Sequence, residues 1–145
     1  MRYRAYSIED KRLSKPFELN DIAQAQFGVI VQQGCKPYDL NRCMVMRSSE
    51  LVDINNNEVY ESDIVSFPLY IPGTEGKDSV DLFHAVIIFK EGRFTFDRGE
   101  PKWSRMLLDQ YSMIKGKAQV EGNIYQTPEL IEDFDLDAII DSLKS

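Results

Sequence analysis

Short strand-like runs of apolar and β-branched residues recur along the chain, and only a few stretches place apolar residues at helical spacing. Arg2 to Tyr6 alternates basic with apolar or aromatic residues, as a half-exposed strand would, and Ser7 to Leu13 is polar and turn-like. The short β-branched runs Phe27–Gln32 and Cys43–Met46 predict two more strands, separated by a loop around Gly34, Pro37 and Asp39. Val59 to Phe67 reads as a further strand, introduced by the polar turn Asp53–Glu58. Asn55 and Asn56 of that turn tolerate left-handed backbone, so strand, turn and strand are expected from Met44 to Phe67. Pro68 cannot donate to a ladder and predicts an edge or a bulge, before the loop Pro72–Asp78. The clearest hairpin runs from Val80 to Lys90, turns at Glu91-Gly92 and returns from Arg93 to Asp97. Lys117 to Tyr125 again has strand character.

Helical signals are fewer. Asn20 is placed to cap one or two turns through Gln26, with Gly28 as the stop. Pro101 is suited to a first helical position, ahead of Trp103, Met106, Leu107 and Tyr111 on one face. Thr127-Pro128 opens another helical turn. The cleanest periodicity is the last, with Leu136, Ile139, Ile140 and Leu143 at i, i+3, i+4 and i+7 and acids crowding the start, which predicts a C-terminal amphipathic helix. Its stripe must meet either its own domain or a neighbouring chain.

At 145 residues, with 43% apolar and 28% charged positions, the chain is long enough to bury one core without metal or disulfide staples, and residues 1–145 read as a single domain. No run of about 18 apolar residues predicts a membrane span, and the start lacks the apolar stretch of a secretory signal, so a cytoplasmic protein is expected. The two cysteines, Cys35 and Cys43, fit free thiols better than a disulfide framework. The net charge of -7 comes almost wholly from residues 121 to 145, where seven acids face Lys144 alone. The body is nearly neutral, so the acidic balance gives no general reason to seek nucleic acid or anionic lipid.

Chemistry-bearing motifs are sparse. Cys35, Cys43 and His84 lack zinc-site spacing, and no phosphate-binding glycine loop or nucleophile elbow occurs, so neither metal nor cofactor is expected and a non-enzymatic protein is predicted. Glu61 and Asp63, two apart on a regular strand, would share one face and could hold a cation or share a proton, although Glu, Ser and Asp at a strand entrance are more commonly a solvated edge or a turn-capping arrangement. The one basic and aromatic interleaving is Arg93, Phe96, Arg98, Lys102, Trp103 and Arg105, a composition able to stack bases over a charged groove; alternating phenylalanines on a strand are more often core.

Three places resemble the YopX family, small proteins of bacteriophages and prophages without an assigned molecular function. Tyr3-Arg4-Ala5-Tyr6-Ser7 is similar to the family's opening basic-aromatic strand. Met46, Ser49, Leu51, Asp53, Asn55, Val59, Tyr60, Glu61, Asp63, Ile64 and Val65 match its central signature in order. Val120, Gly122-Asn123-Ile124-Tyr125 and Pro128-Glu129-Leu130 match its end, and Ala85 to Phe94 resembles its valine-rich hairpin. Glu50, Asn56 and Ser62 stand where the family tends to glycine. The stretches 14–42 and 95–116 are poorly covered, so whatever is particular to this member is expected there. The resemblance implies a mainly β (α+β) fold, a small twisted β-barrel with peripheral short helices, in a phage or prophage setting in the bacterial cytoplasm. It transfers no catalytic residue.

The reading that follows is a protein-binding or adaptor module that self-associates, using the barrel surface or the stripe Leu136, Ile139, Ile140 and Leu143. Nucleic-acid binding through residues 93–105 is the alternative.

Overall fold

The computed structural model describes residues 1–25, 28–34, 37–73, 76, 79–97, 109–134 and 139. Among these, twelve strands form three antiparallel sheets. The first joins β1 (Arg2–Ser7), β2 (Arg12–Leu13), β3 (Phe17–Glu18), β7 (Cys43–Val52) and β8 (Glu58–Tyr60), in the order β2-β1-β7-β8 with β3 also on β1. The second runs β11-β10-β9-β12, from β9 (Asp63–Ile71), β10 (Ser79–Lys90), β11 (Arg93–Asp97) and β12 (Gln119–Asn123). The third is β4 (Ile22–Ala25), β5 (Gly28–Val31) and β6 (Tyr38–Asp39). One sheet curls into a half-barrel, and the protein is mainly β with few short helices, as the resemblance implies.

The second sheet is covered on both faces at its centre. Val65, Ala85, Ile87 and Phe96 pack with Val59, Met113 and Ala118 on one side, while Ile64, Val86 and Ile88 pack with Ile124, Ile131 and Ile139 on the other. Alternate strand residues face opposite ways, so Ala85 to Ile88 had to be an unbroken apolar run. Fully burying each of these larger side chains is worth about 1.5–3 kcal/mol. The first and third sheets meet over Ala5, Phe17 and Val31.

Local turn chemistry accounts for the predicted hairpins. Glu91 and Gly92 both take positive φ, 54° and 79°, the type I′ geometry that matches strand twist, and β10 and β11 pair from Lys90↔Arg93 onward. In the turn between β7 and β8, Asp53 is buried and accepts the N–H groups of Asn55 (2.9 Å) and Asn57 (2.8 Å). Its other oxygen accepts Val120 N–H at 2.9 Å, tying the turn to β12. Glu50, Asn56 and Ser62, the three positions where the resembled family favours glycine, all keep left-handed backbone, with φ of 63°, 65° and 75°. The geometry is thus retained without glycine.

Three expectations are corrected. Asn20–Gln26 is not a helix: a 3-10 turn at Leu19–Asp21 leads directly into β4, which pairs with β5 from Ile22↔Val31 to Ala25↔Gly28. Ladder pairing and the burial of half of Ile22 outweigh a weak local helix preference. Val59–Phe67 is not one strand, because Ser62 turns the chain between β8 in the first sheet and β9 in the second. Tyr111, expected on one helical face with Trp103, Met106 and Leu107 in a helix begun by Pro101, sits instead in a separate helix, α1 (Gln110–Lys115), which Asp109 caps through Ser112 N–H; it is 71% exposed there, and Met113 is the buried residue. The helix expected from Pro101 to Leu108 lies outside the described residues.

Candidate functional site

The break at Ser62 decides what Glu61 and Asp63 can do. Each is buried and held by its own arginine. Arg47 on β7 grips Glu61 with two bonds, Nε to Oε1 at 3.2 Å and Nη2 to Oε2 at 2.9 Å, and lies over the Phe89 ring at 4.0 Å. Arg4 on β1 pairs with Asp63 Oδ1 and lies over the Tyr60 ring, while Asp63 Oδ2 accepts Tyr60 N–H at 2.8 Å. Burial pushes Asp63 up to about 6 from 3.8, against the pull of Arg4 and of the Tyr60 N–H. Burial, then the hydrogen bond to Glu58, raises the Tyr60 phenol. The two carboxylates fasten one sheet to the other; they do not share an open face as a regular strand would have made them.

The basic and aromatic patch separates into two parts. Arg93 is exposed at the start of β11, whereas Phe96 is buried, edge-on to Phe67 at 5.0 Å, and is corrected from a stacking platform to a core residue. Strand alternation turned it inward. Arg98, Lys102, Trp103 and Arg105 lie outside the described residues. So do Leu136, Ile140 and Leu143 of the C-terminal stripe. Ile139, the described member, is buried against Ile64, Val86 and Ile88, so at this position the stripe meets its own domain and offers no outer interface.

An exposed apolar surface lies elsewhere. Among the described residues, β12 pairs with β9 only from Asp63 to Ser66, and β11 pairs with β10 only from Val86 to Lys90. Beyond those points Phe67–Ile71 and Ser79–Phe83 pair with each other, a two-stranded ribbon of roughly 15 Å. Pro68 lies in this outer part, bordered by β10, as its lack of an N–H foretold. Val80 and Leu82, on one face of the ribbon, are 66% and 54% exposed, with Pro68 exposed opposite Leu82. The sequence carried a signal for this surface, the alternation Val80-Asp81-Leu82, but alternation alone does not say which face is covered.

A second feature is a pair of depressions on either side of Arg12, whose guanidinium lies 4.0 Å over the buried ring of Tyr38. The smaller, about 260 Å³, is bordered by Glu9, Asp10, Asp39, Arg42 and Cys43. Arg42 is shared there between Glu9 at 3.6 Å and Asp39 at 3.8 Å, and burial, then Asp39, raises the Cys43 thiol away from the reactive thiolate. The larger, about 700 Å³, lies between the loop after β2 and the end of β5. Neither was foreseen. Cys35 lies outside the described residues, and His84 is half-buried on β10.

In solved structures the fold recurs in the crystal structure of protein EF1440 from Enterococcus faecalis, 19% identical, with a TM-score of 0.58 over 90% of this chain and 97% of that one. At that identity the likeness concerns the fold alone. No curated protein matches. The family model described as YopX protein matches residues 2–132, a span that takes in the three resembling segments and both poorly covered stretches between them. The chain belongs to the YopX protein family.

Proposed function

We propose that the protein is a non-enzymatic binding module of a phage or prophage, acting in the bacterial cytoplasm, and that the apolar face of the β9–β10 ribbon is its contact surface. The observation that carries this reading is the exposure of Val80 and Leu82 at the free end of a hairpin whose base is locked into the core through Phe67 and Phe96. Apolar side chains displayed together on one face suit protein association better than solvation. The first partner to test is a second copy of the chain, since a single patch can complement itself across a two-fold axis. Glu61 and Asp63 already spend their charge on Arg47 and Arg4, which suits a structural role.

Sedimentation velocity of the full chain against Val80→Asp/Leu82→Asp tests this, with circular dichroism to check folding. Association in the natural chain that the folded double variant loses supports the ribbon; unchanged mass in both, with no loss of any captured bacterial protein, overturns it. The nucleic-acid reading would rest on Arg93 with Arg98, Lys102, Trp103 and Arg105, without Phe96, and salt-dependent anisotropy with mixed-sequence DNA and RNA is its test.

A further inference from the structure

We propose that the outer edge of β10, from Val80 to His84, pairs antiparallel with the same edge of a second copy, so that two four-stranded sheets join into one. This rests on the ribbon being the contact surface, and it assigns the contact to a backbone edge, with the apolar face carried beside it.

β10 pairs with β9 from Ser79↔Ile71 to Val86↔Ile64, but among the described residues β11 takes its other side only from Val86 onward. Pro68, which has no N–H, stands opposite Leu82, so these two form a pair that exchanges no hydrogen bonds. The bonds between β9 and β10 therefore run through Ser79, Asp81, Phe83 and Ala85, and the N–H and C=O groups of Val80, Leu82 and His84 point to the outer edge. Lys90, in the same phase, closes the two-residue hairpin with Arg93 on that side. At Leu82 the N–H is taken by a side chain and not by a strand: Asp81 Oδ1 accepts it at 2.9 Å. Ser79, Val80, Asp81 and Leu82 are all exposed. On the opposite edge of the ribbon, Pro68 faces outward without a donor, which blocks strand addition to β9. The sequence thus closes one edge and leaves the other able to pair.

A second copy fits the open edge in a defined register. A two-fold axis normal to the sheet keeps every side chain on its own face, and centring it on Leu82 sets Leu82 against its counterpart, Val80 against His84 and Asp81 against Phe83. Val80, Leu82 and His84 of the two copies then exchange about six hydrogen bonds, and the two Val80–Leu82 stripes merge side by side. Centring on Asp81 opposes two carboxylates, a destabilising pair, and centring on Phe83 sets Val80 against Val86, which β11 already holds. In the favoured register each Asp81 must release the Leu82 N–H, so this acid holds the pairing in check.

The test is sedimentation velocity of the full chain from about 10 µM to 1 mM, with amide-resolved hydrogen exchange at both limits. A dimer is expected at the upper limit, with exchange at Val80, Leu82 and His84 slowed about fivefold or more and no change at Ser79, Asp81 and Phe83, which β9 already holds. Leu82→Pro removes an edge N–H and no bond to β9, at a pair where β9 already carries a proline, and should weaken association about tenfold or more. Asp81→Ala frees the Leu82 N–H and lies on the face away from Val80 and Leu82, so it should tighten edge pairing about threefold or more and leave packing through the apolar face unchanged. Circular dichroism checks each variant; should Leu82→Pro not fold, Asp81→Ala and the exchange pattern of the natural chain decide. A chain that stays monomeric throughout overturns the edge pairing, as does a dimer without slowed exchange at those three amides. Association that Leu82→Pro keeps and Val80→Asp/Leu82→Asp loses overturns the edge alone and leaves the ribbon face as the contact; association that both variants keep overturns the two together.

Discussion

Arg4 and Asp63 form a buried ion pair that joins the second residue pair of the first sheet to the start of β9 in the second. Replacing Arg4 with Met leaves the carboxylate without its counter-charge, and a loss of about 3–5 kcal/mol in urea denaturation is expected.

The same pair sets a pH dependence. Asp63 is raised to about 6 in the folded protein from an ordinary 3.8, so its contribution to stability is fully present below the ordinary value and is lost as pH rises through 6. Two units correspond to about 3 kcal/mol. Denaturation from pH 3.5 to 7, on the order of those two limits, should show stability of the natural chain falling relative to Asp63→Asn across that window. A difference that stays flat would contradict the direction.

Asp53→Ala removes the acceptor of three backbone N–H groups, those of Asn55, Asn57 and Val120. Asn55 and Asn57 are exposed, so water can replace the acceptor there, whereas Val120 is half-buried, and a loss of about 1–3 kcal/mol is expected. Because Val120 is involved, hydrogen exchange in β12 should quicken along with that of the turn itself.

Glu50→Gly should stabilise the protein by about 1 kcal/mol, since glycine takes φ of 63° without the clash a Cβ brings. The ion pair given up, 4.0 Å from the chain's amino terminus and exposed on both sides, is worth little. A thermal midpoint that falls would count against left-handed strain at this position.

Gly122→Ala should cost about 1–3 kcal/mol, because a Cβ there would stand 2.0 Å from Thr127 Oγ1. That hydroxyl accepts Asn123 N–H at 3.1 Å and donates to Asn123 O at 3.1 Å, so the clash also breaks the turn that follows β12. Thermal melts of Gly122→Ala, Thr127→Ala and the double variant measure how much removing the Thr127 hydroxyl relieves.

The parts of the fold that were legible were those decided within a few residues. Glu91-Gly92 sets its hairpin through its own φ angles, and the Asp53 turn contains its own acceptors. β4 was misread because its strand state comes from pairing with β5, and nothing between Asn20 and Gln26 encodes that partner. Glu61 and Asp63 misled for a related reason: period-two reasoning assumes an unbroken strand, and Ser62 is not a residue that announces a positive φ. Phe96 could be placed on a strand but not on a face. The cleft at Arg12 and Lys15 draws on β2, the following loop, β5 and β6, which come together only through tertiary packing.

The position of β12 has a consequence for how the protein is made. It pairs with the inner half of β9, residue 123 against residue 63, and its amide at Val120 also completes the Asp53 turn. On the ribosome, therefore, β9 and β10 can zip together early, yet the other edge of β9 stays open until β12 has emerged. Contacts this distant in sequence slow the search for the native topology, to milliseconds or seconds in comparable β proteins. A nascent chain of this protein therefore carries β9 with one edge unpaired from the synthesis of Ile71 until that of Gln119, when β12 begins to close the sheet.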